Sequence, residues 1–192
     1  MVNTKVTLSG WTIENPVIPA SGTFGYGKEY SELYDINVLG SFSFKGTTLL
    51  PRSGNPQPRI ADGKVGIINS IGLENPGAEE VIARKIPEME EFFHKKVIAN
   101  VSGSSVEDYA KICEMFSAVE KVGIIEVNVS CPNVKDGGMA FGTKEENVYA
   151  IAKAVKEVCG KPIYIKLSPN VTDIASIAKA AEEGGADGVC LI

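Results

Sequence analysis

The run IYIKLSPNVTDIASIAKAAEEGGADGVCLI, residues 163–192, reads as one β-α-β unit. An apolar stretch at 163–167 is followed by a turn, a segment of helical period at 173–183, a Gly184-Gly185 stop and a second apolar stretch at 188–192. A glycine pair just past the last periodic residue is a helix C-terminal signal. Two strands joined by a helical crossover lie parallel in one sheet, and such crossovers are right-handed.

Working outward toward the N-terminus, the same alternation repeats. Strands are predicted at 124–128, 97–101, 40–45 and 17–19, which with 163–167 and 188–192 makes six. Helices are predicted at 145–158, ahead of Gly160 and Pro162, and at 106–119, after Ser104 and Ser105. A further helix at 76–93 opens on Asn75-Pro76, an N-cap residue followed by proline at the first helical position. A short helix at 28–34 and an N-terminal β-hairpin at 6–13 complete the reading. The α/β pattern fits an open doubly wound sheet or part of a (β/α)8 TIM barrel. Polar residues at the C-terminal ends of strands (Ser21, Lys45, Asn100, Asn128 and Lys166) and the long loops 46–68 and 129–143 favour the barrel, whose active sites are built on that face. A complete barrel needs about 250 residues. The expectation for residues 1–192 is therefore a single, incomplete barrel domain with about six of eight strands.

Composition narrows the function. Hydrophobic residues are 44%, charged residues 22% and the net charge is −5, the balance of a soluble globular protein without a basic footprint for nucleic acid or anionic membrane. No run is long and apolar enough to cross a bilayer and no secretory leader opens the sequence, so a cytoplasmic location is expected. Cys113, Cys131, Cys159 and Cys190 form no CxxC pair, and His94 is the sole histidine, so neither a zinc site nor a histidine triad is expected. No dinucleotide fingerprint or P-loop occurs.

The strongest local signal is EVNVSCPN, residues 126–133, an apolar strand running into Asn128 and then into Cys131, held in a loop by Pro132. A deprotonated Cys131 is a competent base, although a thiol with an ordinary pKa near 8.5 is mostly protonated at neutral pH. By spacing alone the commoner reading is a buried small hydrophobe, which is what most free cysteines are. Lys45 and Lys166 end apolar strands, where each is either a fixed positive charge at a barrel mouth or a snorkelling side chain. Two lysines and two asparagines on one face describe a pocket for an anionic, amide-rich planar molecule. Asn69, Ser70 and Gly72 precede a helix, a setting that suits a carboxylate. The GNPQPR loop, 54–59, is rigid and has no evident chemistry.

These segments, in this order, resemble the dihydroorotate dehydrogenases. The resemblance runs along the whole chain, on NPVIPASGTFGYG from Asn15, FKGTT, GNPQPR, NSIGLENPG, IANVSG, EVNVSCPNV, IKLSPNV and GGADGV, and is nearest to the class 1B, NAD-linked catalytic subunits. It implies oxidation of dihydroorotate to orotate in pyrimidine biosynthesis, with Cys131 as the catalytic base and FMN as the hydride acceptor. It implies substrate contacts from Lys45, Asn69, Ser70, Ile71, Gly72, Leu73, Asn128 and Asn133, and FMN contacts from Ser21, Lys45, Gly46, Asn100, Asn128, Lys166 and Ile192. It implies no metal on this chain; FAD and a 2Fe-2S cluster belong to an iron–sulfur flavoprotein partner in a heterotetramer that passes electrons to NAD. The chain would lack the last third of that family's barrel, and is expected alone neither to hold FMN tightly nor to turn over. The rivals are a fumarate-linked class 1A enzyme, a flavin barrel like that of dihydropyrimidine dehydrogenase, and a non-catalytic fragment.

Overall fold

The computed structural model describes residues 2–130 and 141–192. Two antiparallel hairpins precede the main sheet: β1 (Val6–Leu8) with β2 (Trp11–Ile13), and β3 (Ile60–Gly63) with β4 (Gly66–Asn69). The sheet itself is parallel, in the order β5 (Val97–Val101), β6 (Val122–Asn128), β7 (Ile163–Lys166) and β8 (Gly188–Cys190). Helices α4 (Val106–Ser117), α5 (Glu145–Val158) and α6 (Ile174–Glu183) make its crossovers, after the shorter α1 (Lys28–Ser31), α2 (Ala78–Glu80) and α3 (Ile86–Glu90). Ser105 caps α4 by accepting from the Asp108 N–H, and Asp173 caps α6 by accepting from Ala175 and Ser176, each satisfying donors that a helix start leaves open.

Alternation along the strands divides the chain into two layers. Val97, Ala99, Val101, Ile125, Val127, Ile163 and Ile165 join Ile112, Phe116, Ile151 and Val155 of the helices in one buried core. Ile98, Ile124, Glu126, Tyr164 and Lys166, one residue out of phase, face the concave side. The β1–β2 hairpin sits at the end of that concave side where the strands begin: the Trp11 ring lies against Gly123, and Ser9 and Tyr164 hydroxyls are 3.0 Å apart. No side chain fits at Gly123, since a Cβ there would lie 2.9 Å from the Trp11 ring.

The predicted strands at 17–19 and 40–45 take their expected places but do not form regular ladders. Gly40 N–H donates to Val17 and Ser43 N–H to Pro19, while Phe42 and Phe44 exchange hydrogen bonds with Ile98. Parallel bridges join Ser43 to Ile98 and Thr47 to Val101. Pro19 has no N–H to contribute to a ladder. Between the two bridges four steps on one segment oppose three on the other, so one extra residue is accommodated, and the Lys45 N–H turns aside to Gly25. This is a bulge, a device that re-aims side chains near functional sites.

Other boundaries move for local reasons. The 76–93 helix is broken: a π turn, Val81–Lys85, separates α2 from α3, just ahead of Pro87, which cannot donate to the preceding turn. Its N-cap is Gly77 and not Asn75; the buried Asn75 instead accepts from the Thr48 and Gly77 N–H groups and donates to Leu73 O and Thr48 Oγ1. The β3–β4 hairpin occupies what the sequence reading leaves as loop, and its eight paired residues are all exposed. Helix α1 ends at Ser31, α4 at Ser117 and β8 at Cys190, each short of its predicted bound.

Asn75 thus staples the 46–52 segment to the loop before α2. Asn75→Ala strands two buried N–H groups, and each such loss costs about 1–3 kcal/mol. A lower urea midpoint, with faster amide exchange at Thr48 and Gly77, is the expected outcome.

Candidate functional site

Parallel registration gathers the predicted residues on one rim. Asn100 is level with Glu126, and Asn128 with Lys166, at the ends of β5, β6 and β7. Lys166 Nζ reaches Ser21 Oγ at 3.4 Å, joining β7 to the loop that follows 17–19. Lys45 is half-buried at the bulge, and Gly46 is buried beside Asn100. A Cβ on Gly46 would lie 2.9 Å from Asn100 Oδ1 and 3.0 Å from Leu73 Cδ1, so glycine allows the two segments to touch. Leu73 arrives there with φ at 56°, a left-handed conformation rare for a bulky residue and found disproportionately at functional sites.

The 69–73 segment is held from below by Arg59. Its guanidinium donates to Asn55 O, Ser53 O and Glu74 Oε2, pinning the GNPQPR loop against the residues preceding α2. Asn55 in turn donates to Ser70 Oγ at 2.9 Å, and its N–H to Ile71 O at 3.1 Å; Gly72 is packed on Asn55 with no room for a Cβ. The proline-rich loop is therefore a brace for a site segment. Of the predicted residues here, Leu73 sits next to Gly46 and Gly72 packs on Asn55, whereas Asn69 is exposed in β4 opposite Ile60.

Asn128 is half-buried, and its Oδ1 accepts from the Ser130 N–H and hydroxyl at 3.1 and 2.6 Å, while the Tyr109 hydroxyl donates to its backbone carbonyl. Cys131 and Asn133 lie outside the described residues. Ile192 is 71% exposed and lines the concave cavity with Lys166 and Cys190.

That cavity, about 520 Å3, is walled by Ile98, Ile124, Tyr164, Val189 and their neighbours. In a closed barrel this space is a packed core and not a pore, so the cavity belongs to the core and the ligand site to the rim above it. At their junction stands Glu126, which the sequence reading passed over. Only 7% exposed, it accepts from the Ser43 hydroxyl at 3.0 Å and from the Asn100 amide, with Cys190 and Lys166 nearby. An acid inside the apolar run IIEV was the available signal. Burial, then the Glu126 carboxylate, pushes the Cys190 thiol up to about 12, with Lys166 opposing.

The whole chain matches the protein-family model described as dihydroorotate dehydrogenase, over residues 3–192. The chain belongs to the dihydroorotate dehydrogenase family. It is 52% identical over 188 residues to the dihydroorotate dehydrogenase B (NAD(+)) catalytic subunit of Bacillus cytotoxicus, covering 98% of this chain and 60% of that protein. It is 51% identical to the subunit of the same name from Enterococcus faecalis over 187 residues, 97% of this chain and 60% of that one. The chain thus spans about 60% of the length of the curated relatives it matches. The ligand-free dihydroorotate dehydrogenase of Eimeria tenella superposes with a TM-score of 0.76 at 19% identity, over 97% of this chain and 60% of that one. That likeness identifies the fold as part of the dehydrogenase barrel, as the strand pattern predicts.

Two thiols, Cys113 buried in the helical core and Cys190 half-buried at the concave cavity, make a direct check on burial and electrostatics. Cys113 is raised well above an ordinary thiol by burial, and Cys190 to about 12. At pH 8 the thiolate fraction of Cys190 is then about a thousandth of that of a free cysteine, so alkylation should slow by about two to three orders of magnitude. Peptide mapping after timed alkylation should find both sites unmodified in the native protein and modified in urea.

Proposed function

We propose that this chain carries the flavin- and substrate-binding portion of an NAD-linked, B-type dihydroorotate dehydrogenase of pyrimidine biosynthesis. The observation that carries the reading is the rim itself: Lys45, Gly46, Asn100, Asn128 and Lys166 converge in a chain about half identical to named catalytic subunits.

The donor set suits FMN. Lys166 is a cation only 9% exposed, held toward Ser21, and Asn100 Oδ1 is a buried acceptor that finds no protein partner among the described residues. Gly46 supplies backbone without a side chain beside that acceptor. Ser21, Lys45, Gly46, Asn100, Asn128, Lys166 and Ile192 are the residues we assign to FMN. When bound, FMN supplies the two-electron acceptor for the hydride leaving C6 of dihydroorotate. A lysine ammonium near the ring favours its anionic reduced form.

The chain's own groups divide the remaining work. Lys45, the 69–73 segment, Asn128 and Asn133 hold the substrate carboxylate and ring; the Arg59 brace and the Asn75 staple fix the first two against each other. Cys131 takes the C5 proton as a general base, a contribution typically worth 10²–10⁴-fold. The term catalytic subunit in the relatives' names supports a partner, for which we propose an iron–sulfur flavoprotein carrying FAD and a 2Fe-2S cluster, in a cytoplasmic heterotetramer. Among the described residues no helix is long and apolar enough to cross a membrane.

Anaerobic addition of dihydroorotate to the protein supplied with FMN, both as this chain and extended to its relatives' length, tests the reading. Bleaching of the flavin is expected in the extended form, slowed about 10²–10⁴-fold in Cys131→Ala. Bleaching by dihydrouracil in place of dihydroorotate would select the pyrimidine-reducing alternative.

A further inference from the structure

Glu126 is buried at the centre of the barrel's polar layer, and neither the substrate nor the flavin assignment uses it. Among the described residues assigned to the site, Asn100 is the one hydrogen-bonded to its carboxylate, with Lys166 lining the same cavity. When ionised, a carboxylate accepts hydrogen bonds and donates none. The Asn100 amide can therefore face it with one end alone: Nδ2 donates to Glu126 Oε2, the same oxygen that takes the Ser43 hydroxyl. The other end of the amide, Oδ1, is thereby turned to Gly46 and Leu73, fully buried and without a protein partner among the described residues. Asn100 is itself wholly buried. An unpartnered buried acceptor costs about 1–3 kcal/mol unless a ligand donor reaches it. Without the carboxylate the amide could rotate by half a turn and present N–H groups to the same place.

We propose that Glu126 is a positioning residue that fixes the Asn100 amide as a hydrogen-bond acceptor toward the flavin site, selecting a ring with an N–H donor. The inference rests on the flavin reading above. Ser43 belongs to the same arrangement: its hydroxyl donates to the Glu126 oxygen that takes the Asn100 amide, and the Cys190 thiol lies beside that carboxylate.

The test is a double-mutant cycle on FMN affinity, measured by fluorescence quenching on the apoprotein extended to its relatives' length. Glu126→Met keeps length and removes the acceptor, and FMN binding should weaken about tenfold or more, the scale of one charge-assisted hydrogen bond. Glu126→Gln retains one acceptor oxygen and should recover affinity to within about threefold of wild type. On an Asn100→Ala background, Glu126→Met should have no further effect, because the two act as one unit. If Glu126→Met does not fold, Glu126→Asp, one methylene too short to reach Asn100, stands in with the same expected loss. Wild-type affinity in the acceptor-less variant, equal loss in Met and Gln variants, or an undiminished effect on the Asn100→Ala background each overturns the proposal. Absence of FMN binding by the extended wild type would instead remove the flavin reading, and this inference with it.

Discussion

Parallel registration of β5, β6 and β7 is the constraint on which the rest depends. Successive residues of a strand face opposite sides, so a fixed register decides at once which side chains join the helical core and which meet across the concave side. Here it places Val97, Ala99, Val101, Ile125, Val127, Ile163 and Ile165 under the helices. The same parity puts Asn100 level with Glu126, and Asn128 with Lys166. A slip of one residue on β6 would bury Val127 among polar groups and push Glu126 into an apolar core that has no donor for it. The hydrophobic sum over the strands therefore holds the chemistry in place without any of the chemical residues contributing much stability themselves.

The polar layer survives its burial because its groups are complementary. A charge taken out of water is tolerated when neighbours complete its hydrogen bonds and balance it. Glu126 takes the Ser43 hydroxyl and the Asn100 amide, and Lys166 supplies an opposite charge in the same neighbourhood. Asn100 Oδ1 stays unsatisfied by protein and lies where Gly46 leaves the backbone bare, and the Ser102 hydroxyl, two residues further along, is likewise buried without a partner among the described residues. Deficits at the end of β5, beside a carboxylate whose own acceptor is paired, are the pattern of a site finished by its ligand.

What could be read from the sequence follows from which signals burial writes into it. Strands β5, β6 and β7 were legible because both faces are covered, giving continuous apolar runs, and α5 because its buried stripe repeats at helical spacing. The β3–β4 hairpin was not, because with every paired residue exposed no apolar–polar alternation marks it. The bulge at Lys45–Gly46 depends on where the Lys45 N–H goes, a choice made by Gly25 twenty residues away. Site residues were found where they end a strand, as Lys45, Asn100, Asn128 and Lys166 do. Glu126 was passed over because it stands inside one, where only three-dimensional context distinguishes a buried partnered acid from a solvated one. Asn75 carried a true local signal, Asn-Pro, whose capping meaning was displaced by the tertiary use of its amide on Thr48.

The regular and irregular parts of the chain serve different sides of the site. Asn100 and Lys166, assigned to the flavin, and Asn128, assigned to both ligands, stand on ladder-bonded strands whose positions packing fixes; precise geometry is best held by such elements. Lys45, assigned to both ligands, and the 69–73 segment, assigned to the substrate, stand on a bulge and on a turn with Gly72 and Leu73 both at positive φ. Left to themselves, such segments would sample many conformations. They are fixed instead by polar staples from outside the site: Asn75 on Thr48 and Gly77, and Arg59 on Ser53, Asn55 and Glu74. On the proposed reading, a bound planar ring would be matched by a rim built mainly into the sheet, and a substrate that enters and leaves by loops whose order rests on a few replaceable hydrogen bonds. On this division, change in the Arg59 staple would act on substrate affinity first, change in the Asn75 staple would reach the flavin as well through Gly46, and change in the strand parity would abolish both together.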